Sequence, residues 1–146
     1  MSGRLPSVTL VRRIKAPPAK VWAAITQADL MLKWWGPDAG PTLSVVAEVH
    51  PGGRFSVVFR LLDGTEHNPT GIYREVIPEK KLSFTWDLPG TQEPKSLVTF
   101  RLEPLGTGTE LTLTHEHLPD EAARNSHEQG WNGLLDKLPR FLGDRE

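Results

Sequence analysis

The chain has no cysteine and five histidines. Disulfides, thiol nucleophiles, iron–sulfur clusters and Cys-containing zinc modules are therefore excluded, and polar chemistry falls to imidazoles and carboxylates. His115 and His117 stand two apart on a predicted strand over 110–117, which puts both on the face that carries Leu111 and Leu113. Two imidazoles so spaced can share a metal, with His67 or Glu66 as a third ligand, or one of them can serve as a general base in a cavity. The strand runs out at His117, so a buried polar group at His115 is the simpler expectation, and no metal is expected. His127, four residues before Trp131, is expected to face the same interior; His50 adjoins a turn and belongs to the surface. Ser83, His115 and Asp87 make a triad on paper, and Glu66 with Glu75 a carboxylate pair, but such common residues carry no specificity. There is no Gly-x-Ser-x-Gly elbow, His-Glu-x-x-His, phosphate-binding lysine loop or dinucleotide fingerprint. Gly106-Thr107-Gly108 sits between two strands, the wrong setting for a nucleotide.

Several elements must position these groups. Val8–Ile14 is short and β-branched and predicts a strand, with Val8, Leu10 and Arg12 on one side. Pro18 opens a helix to Thr26 in which Val21, Trp22 and Ile25 recur at helical spacing. Asp29 is the expected cap of a second helix, Leu30–Trp35, closed by Gly36-Pro37. Period two then takes over. Strands are predicted over 43–49, through Phe55, Val57 and Phe59, over 67–77 with Pro69 fraying its start, and over 82–86, 97–102 and 110–117. Pro51-Gly52-Gly53, Asp63-Gly64 and Pro89-Gly90 with Pro94 punctuate them. Pro119-Asp120-Glu121 begins a long helix whose stripe is Trp131, Leu134, Leu135, Leu138, Phe141 and Leu142. Gly130 and Gly133 weaken its middle, and Pro139 is expected to kink it or to begin its last turn.

The order is strand, two short helices, about six further antiparallel strands, one long helix. An α+β domain follows, a curved antiparallel sheet of six to seven strands with the C-terminal helix laid across it. The 146 residues fit one domain over 1–146, with a core of about 7–142. A net charge of −1 with 24% charged residues gives no basic field for nucleic acid. Met1–Ser7 has no apolar signal core, and no apolar run is long enough to span a bilayer. A cytoplasmic protein, monomeric or homodimeric, is the expectation. Arg54, Arg60, Arg74 and Arg101 alternate with apolar residues and read as the solvated sheet face, while Asp136 and Lys137 need no role.

Val21-Trp22-Ala23-Ala24-Ile25-Thr26 and Leu32-Lys33-Trp34-Trp35-Gly36-Pro37 are similar to the helical pair of the SRPBCC (START/Bet v 1-like) superfamily. Pro51-Gly52-Gly53-Arg54-Phe55, Gly71-Ile72-Tyr73-Arg74-Glu75-Val76 and Leu82-Ser83-Phe84-Thr85-Trp86 extend the match. Leu111-Thr112-Leu113-Thr114-His115 and Gly130-Trp131-Asn132-Gly133-Leu134-Leu135 complete it. Within the superfamily the chain resembles the family named for the C-terminal domain of the activator of heat-shock protein 90 ATPase. The resemblance implies a helix-grip fold with an apolar cavity between sheet and helix. A small apolar or aromatic ligand is then the expected partner, with no cofactor. The alternatives are a chaperone-binding module and a cyclase- or hydrolase-like enzyme using a cavity histidine.

The expected cavity wall draws on three places. One ring of the Trp34-Trp35 pair packs as core, and the other, Trp35, sits at the mouth. From the sheet come Phe55, Val57, Phe59, Phe84, Trp86 and Leu113, any of which also reads as ordinary core, with Tyr73, His115 and His67 orienting polar groups. Trp131, Leu134, Leu135 and Leu138 face them from the helix.

Overall fold

Residues 6–35, 42–87 and 95–142 are described by the computed structural model. Strand β1 (Val8–Ile14) leads into α1 (Pro18–Thr26) and α2 (Ala28–Trp34). Strands β2 (Thr42–Ala47), β3 (Arg54–Arg60), β4 (Glu66–His67), β5 (Thr70–Ile77), β6 (Lys81–Trp86), β7 (Ser96–Leu105) and β8 (Gly108–Glu116) follow, and α3 (Glu121–Phe141) ends the chain's regular structure. All pairings are antiparallel, in the order β1-β8-β7-β6-β5-β3-β2, with the two-residue β4 on β3. The sheet curls, and α3 crosses its inner face: a helix-grip architecture.

Local chemistry accounts for most boundaries. Pro18 starts α1 at a position where a missing N–H costs nothing. The second helix begins earlier than Asp29, with Gln27 as its cap residue; Asp29 lies inside the first turn, where its charge favours the helix N-terminus without a capping bond. Trp34 ties the two helices together by donating its indole N–H to the Ala24 carbonyl at 2.9 Å. The strand expected over 67–77 is broken into β4 and β5 at Asn68-Pro69, because proline cannot donate to the ladder. Strand β8 ends at Glu116, since His117 is in the left-handed region at φ 68°. Asp120 caps α3 by accepting from the Ala123 amide at 2.8 Å. Pro139 is accommodated within the helix near its C-terminus. Gly36-Pro37 and the Pro89-Gly90 and Pro94 turn lie outside the described residues.

The inner face of the sheet is a sheet of rings. Phe55 and Phe84 stack at 4.3 Å, and Trp35 from the end of α2 meets Phe55, Phe100 and Trp131 at 5.9, 6.1 and 6.0 Å. Leu134, Leu135 and Leu138 close the core from α3, each contributing about 1.5–3 kcal/mol through burial. Arg12, half-buried on β1, fastens the helix by donating to Asn132 at 2.7 Å and Asp136 at 3.2 Å. Asp136, exposed and without an expected role, thus has one. Arg54 and Arg60 face solvent and pair with Glu48 and Glu66.

Two glycines illustrate different constraints. A Cβ on Gly71 would lie 1.7 Å from the Thr85 carbonyl oxygen, so β5 and β6 can approach there only over hydrogen. Gly64, at φ +91° in the β3–β4 turn, has open space around it and needs glycine only for its backbone. Gly71→Ala is expected to cost about 3 kcal/mol or prevent folding, and Gly64→Ala about 1 kcal/mol. Urea unfolding of both variants checks this, and equal losses would contradict the close approach.

Candidate functional site

His115 is fully buried, and both of its ring nitrogens are committed. The Trp131 indole N–H, which can only donate, points at His115 Nδ1 at 2.9 Å. Nδ1 must therefore be the acceptor, so the neutral ring carries its proton on Nε2 and donates it to Ser96 Oγ at 2.7 Å. The Ser96 hydroxyl in turn reaches the Trp86 carbonyl at 3.4 Å. One polar chain thus runs from α3 through β8 and β7 to β6. It leaves His115 no lone pair for a substrate proton, which argues against that residue as a general base. Ser83, the serine of the paper triad, faces the opposite side of the sheet and accepts from the Glu75 amide at 3.2 Å.

His117 does not share the face of His115. Its left-handed backbone turns it toward a hollow on the outer surface that it lines with Arg74, Glu75 and Thr85. The pairing expected from their spacing in sequence is therefore absent. Among the described residues no cluster of three His, Cys, Asp or Glu side chains is placed to hold a metal.

A half-open cleft of about 350 Å³ lies between the inner face of the sheet and the first half of α3. Its walls are mostly apolar: Trp35, Phe59, Leu61, Trp86, Trp131 and Leu134. Polar side chains enter from one strand and one helix, His67 from β4 and Ser126, His127 and Gln129 from α3. Gly130 contributes no side chain, which keeps the helix-side wall thin. Phe59 stacks on His67 at 5.7 Å, and Trp86 meets Trp131 at 5.2 Å, so rings form both sides.

Of the thirteen residues expected to form the cavity, Trp35, Phe59, Trp86, Trp131 and Leu134 line this cleft. Phe55, Val57, Tyr73, Phe84, Leu113, His115, Leu135 and Leu138 are buried in the packed core behind it. His67 and His127 reach the cleft as weighed from the sequence, while Leu61, Ser126 and Gln129 carried no signal there. Both rings of the Trp34-Trp35 pair are core: Trp35, expected at the mouth, is 1% exposed because Phe55, Phe100 and Trp131 pack around it, and it borders the cleft from within. Two buried polar atoms have no hydrogen-bond partner among the described residues, the Tyr73 hydroxyl and the Trp86 indole nitrogen. Burial pushes the Tyr73 phenol up, so it stays protonated.

Burial, seconded by the neighbouring His127, pushes the His115 imidazole down to about 3. Above about pH 6.5 neither native nor unfolded chain holds this proton, and stability is unaffected. As pH falls from there toward 3, the unfolded chain binds a proton that the native state excludes. Stability then drops by up to about 1.4 kcal/mol per pH unit. In His115→Gln, whose amide offers one acceptor and one donor, that component should vanish. Urea unfolding at pH 4.5 and 7 reads it, and an unaltered pH slope would show that His115 is not the group excluding the proton.

Three comparisons place this geometry among known proteins. A crystal structure of a Chromobacterium violaceum protein superposes with a TM-score of 0.85 at 24% identity, covering 96% of this chain and 98% of that one. A Nitrosomonas europaea protein gives 0.81 at 25% identity over 98% and 97% of the two chains. A Mesorhizobium loti protein is 30% identical over 97% and 99%, with a TM-score of 0.76. No protein of curated function matches the sequence. The family model described as Activator of Hsp90 ATPase homolog 1-like protein matches residues 15–143. With that match from the end of β1 through α3, the chain belongs to the family of activator of Hsp90 ATPase homolog 1-like proteins, with the START-like helix-grip fold.

Proposed function

We propose that this protein binds a small apolar or aromatic molecule in the cleft between the sheet and α3. The observation that carries the reading is an aromatic-walled cleft of about 350 Å³ left open beside an otherwise close-packed interior. Ligand sites run from about 300 to 1,000 Å³ and are mostly apolar with a few placed polar groups. A two-ring aromatic fits that description, its faces against Phe59 and the Trp86–Trp131 pair. Affinity would come from apolar area removed from water, at about 25 cal/mol per Å² before the cost of association. The helix-grip fold is consistent with such a role, and the fold alone assigns no chemistry.

Thermal denaturation with a panel of one- to three-ring aromatics tests the proposal. A ligand at 100 times its Kd should add about 2.7 kcal/mol and raise Tm by several degrees. Gly130→Leu, which puts a side chain into the cleft while improving helix propensity, should abolish the shift and leave the unliganded Tm equal or higher. A panel with no stabilising member, or a shift that survives Gly130→Leu, would reject the cleft as the site.

The family's name supports a second reading, contact with heat-shock protein 90. Strand β2 is an edge of the sheet and exposes Leu43 and Val46, and α2, which packs against β2, exposes Leu32. If that edge is the contact, Val46→Glu should weaken binding to the chaperone by at least about tenfold, the effect of some 1.4 kcal/mol. Isothermal titration checks it, and absence of heat with the unaltered protein would eliminate the reading.

A further inference from the structure

Two breaks in the regularity of the strands meet on the outer face of the sheet. Strand β5 carries an extra residue between Tyr73 and Glu75, which pair with Phe84 and Ser83 on β6. This bulge brings Arg74 and Glu75 to one face, where strict alternation would send Glu75 inward. At the end of β8, His117 takes a left-handed backbone, uncommon for a residue with a side chain. Both segments line one half-open hollow of about 510 Å³, on the side of the sheet away from the cleft.

The polar groups of this hollow are unevenly spent. Ser83 Oγ accepts the Glu75 amide at 3.2 Å, and Thr85 Oγ1 accepts the Ile72 amide at 2.9 Å. Each oxygen thus already receives a bond, and neither hydroxyl proton has an acceptor among the described residues. Arg74, Lys95 and His117 also line the hollow and make no hydrogen bond or ion pair among the described residues. The one carboxylate in the lining, Glu75, is engaged by Lys81 at 2.6 Å. Asp87 lines the adjoining hollow with Lys95 and forms no ion pair with it.

Charge decides what such a place can hold. A ligand cation would meet Arg74 and Lys95 with nothing to offset them. A carboxylate would balance one of the two. A phosphate monoester carries about −1.5 to −2 charge at neutral pH and three acceptor oxygens, enough for both cations and a hydroxyl. We propose that the outer hollow is a second binding site, separate from the cleft, for the phosphate group of a small phosphomonoester. Arg74 and Lys95 hold its charge, and the half-buried Thr85 donates its hydroxyl proton to a phosphate oxygen. Ser83 forms the floor, and His117 presents an imidazole N–H from the end of β8.

Isothermal titration at constant ionic strength with phenyl phosphate, benzoate and benzylammonium tests the assignment. The unaltered protein should bind phenyl phosphate at least about tenfold tighter than benzoate, and benzylammonium not at all. Arg74→Gln and Lys95→Gln remove exposed side chains that hold nothing else among the described residues. Each should leave Tm unchanged and raise the Kd for phenyl phosphate at least about tenfold. Lys20→Gln, the same loss of charge on an exposed position of α1, should change that Kd by less than about twofold. In ¹H–¹⁵N spectra the amides of Thr85 and His117 should shift with phenyl phosphate, and that of Gly130 in the cleft should not. Benzoate binding as tightly as phenyl phosphate would overturn the phosphate class. Equal weakening by Lys20→Gln, shifts confined to Gly130 and its neighbours, or no binding of phenyl phosphate would overturn the site.

Discussion

The hydrogen bond from Trp131 to His115 is the contact on which the rest of the interior depends. It joins the long helix to the centre of the sheet through two buried groups that have no water to fall back on. Because the indole can only donate, the bond also selects the histidine tautomer, and the tautomer dictates the bond to Ser96. A fully satisfied buried polar chain specifies geometry more sharply than apolar contact does. Here it sets the height and rotation of α3 over the rings of Phe100, Trp35 and Trp86.

The position of the cleft follows from that anchor. Below Trp131 toward the C-terminus, Leu134, Leu135 and Leu138 descend into the core, and Arg12 clamps the same stretch of helix to β1 through Asn132 and Asp136. Toward the N-terminus the helix carries Ser126, His127, Gln129 and Gly130, too small or too polar to fill the concavity of a curled sheet. The sheet offers rings on that side and the helix does not match them. The unfilled volume is therefore a consequence of where the apolar stripe stops, and the same two tryptophans that end the core begin the cleft wall.

Much of this was legible in the residues. Alternation in Phe55-Val57-Phe59 and Leu82-Phe84-Trp86 declares inward faces, and these positions are buried. The helical stripe from Trp131 to Leu138 is equally plain. Two features escaped for local reasons: Gln27 rather than Asp29 precedes α2, and a left-handed His117 ends β8 before the alternation does. The division of the inner face into core and cleft was not legible. Phe55 and Phe59 are alike in type and face, and only the curl of the sheet and the line of α3 put one in the packed interior and the other at the cleft. His115 was singled out, but its partner was not. The serine it bonds lies across the β7–β8 ladder and is one of several serines with no distinguishing neighbours.

The central claim, that the space under the first half of α3 is a binding site, is tested most directly by a crystal structure of the protein grown with a saturating two-ring aromatic. The account predicts ordered density between Phe59 and the Trp86–Trp131 pair, with α3 unmoved and the His115 bonds to Trp131 and Ser96 retained. Density only on the outer face of the sheet, or a cleft closed by the movement of α3 onto Phe59, would contradict it.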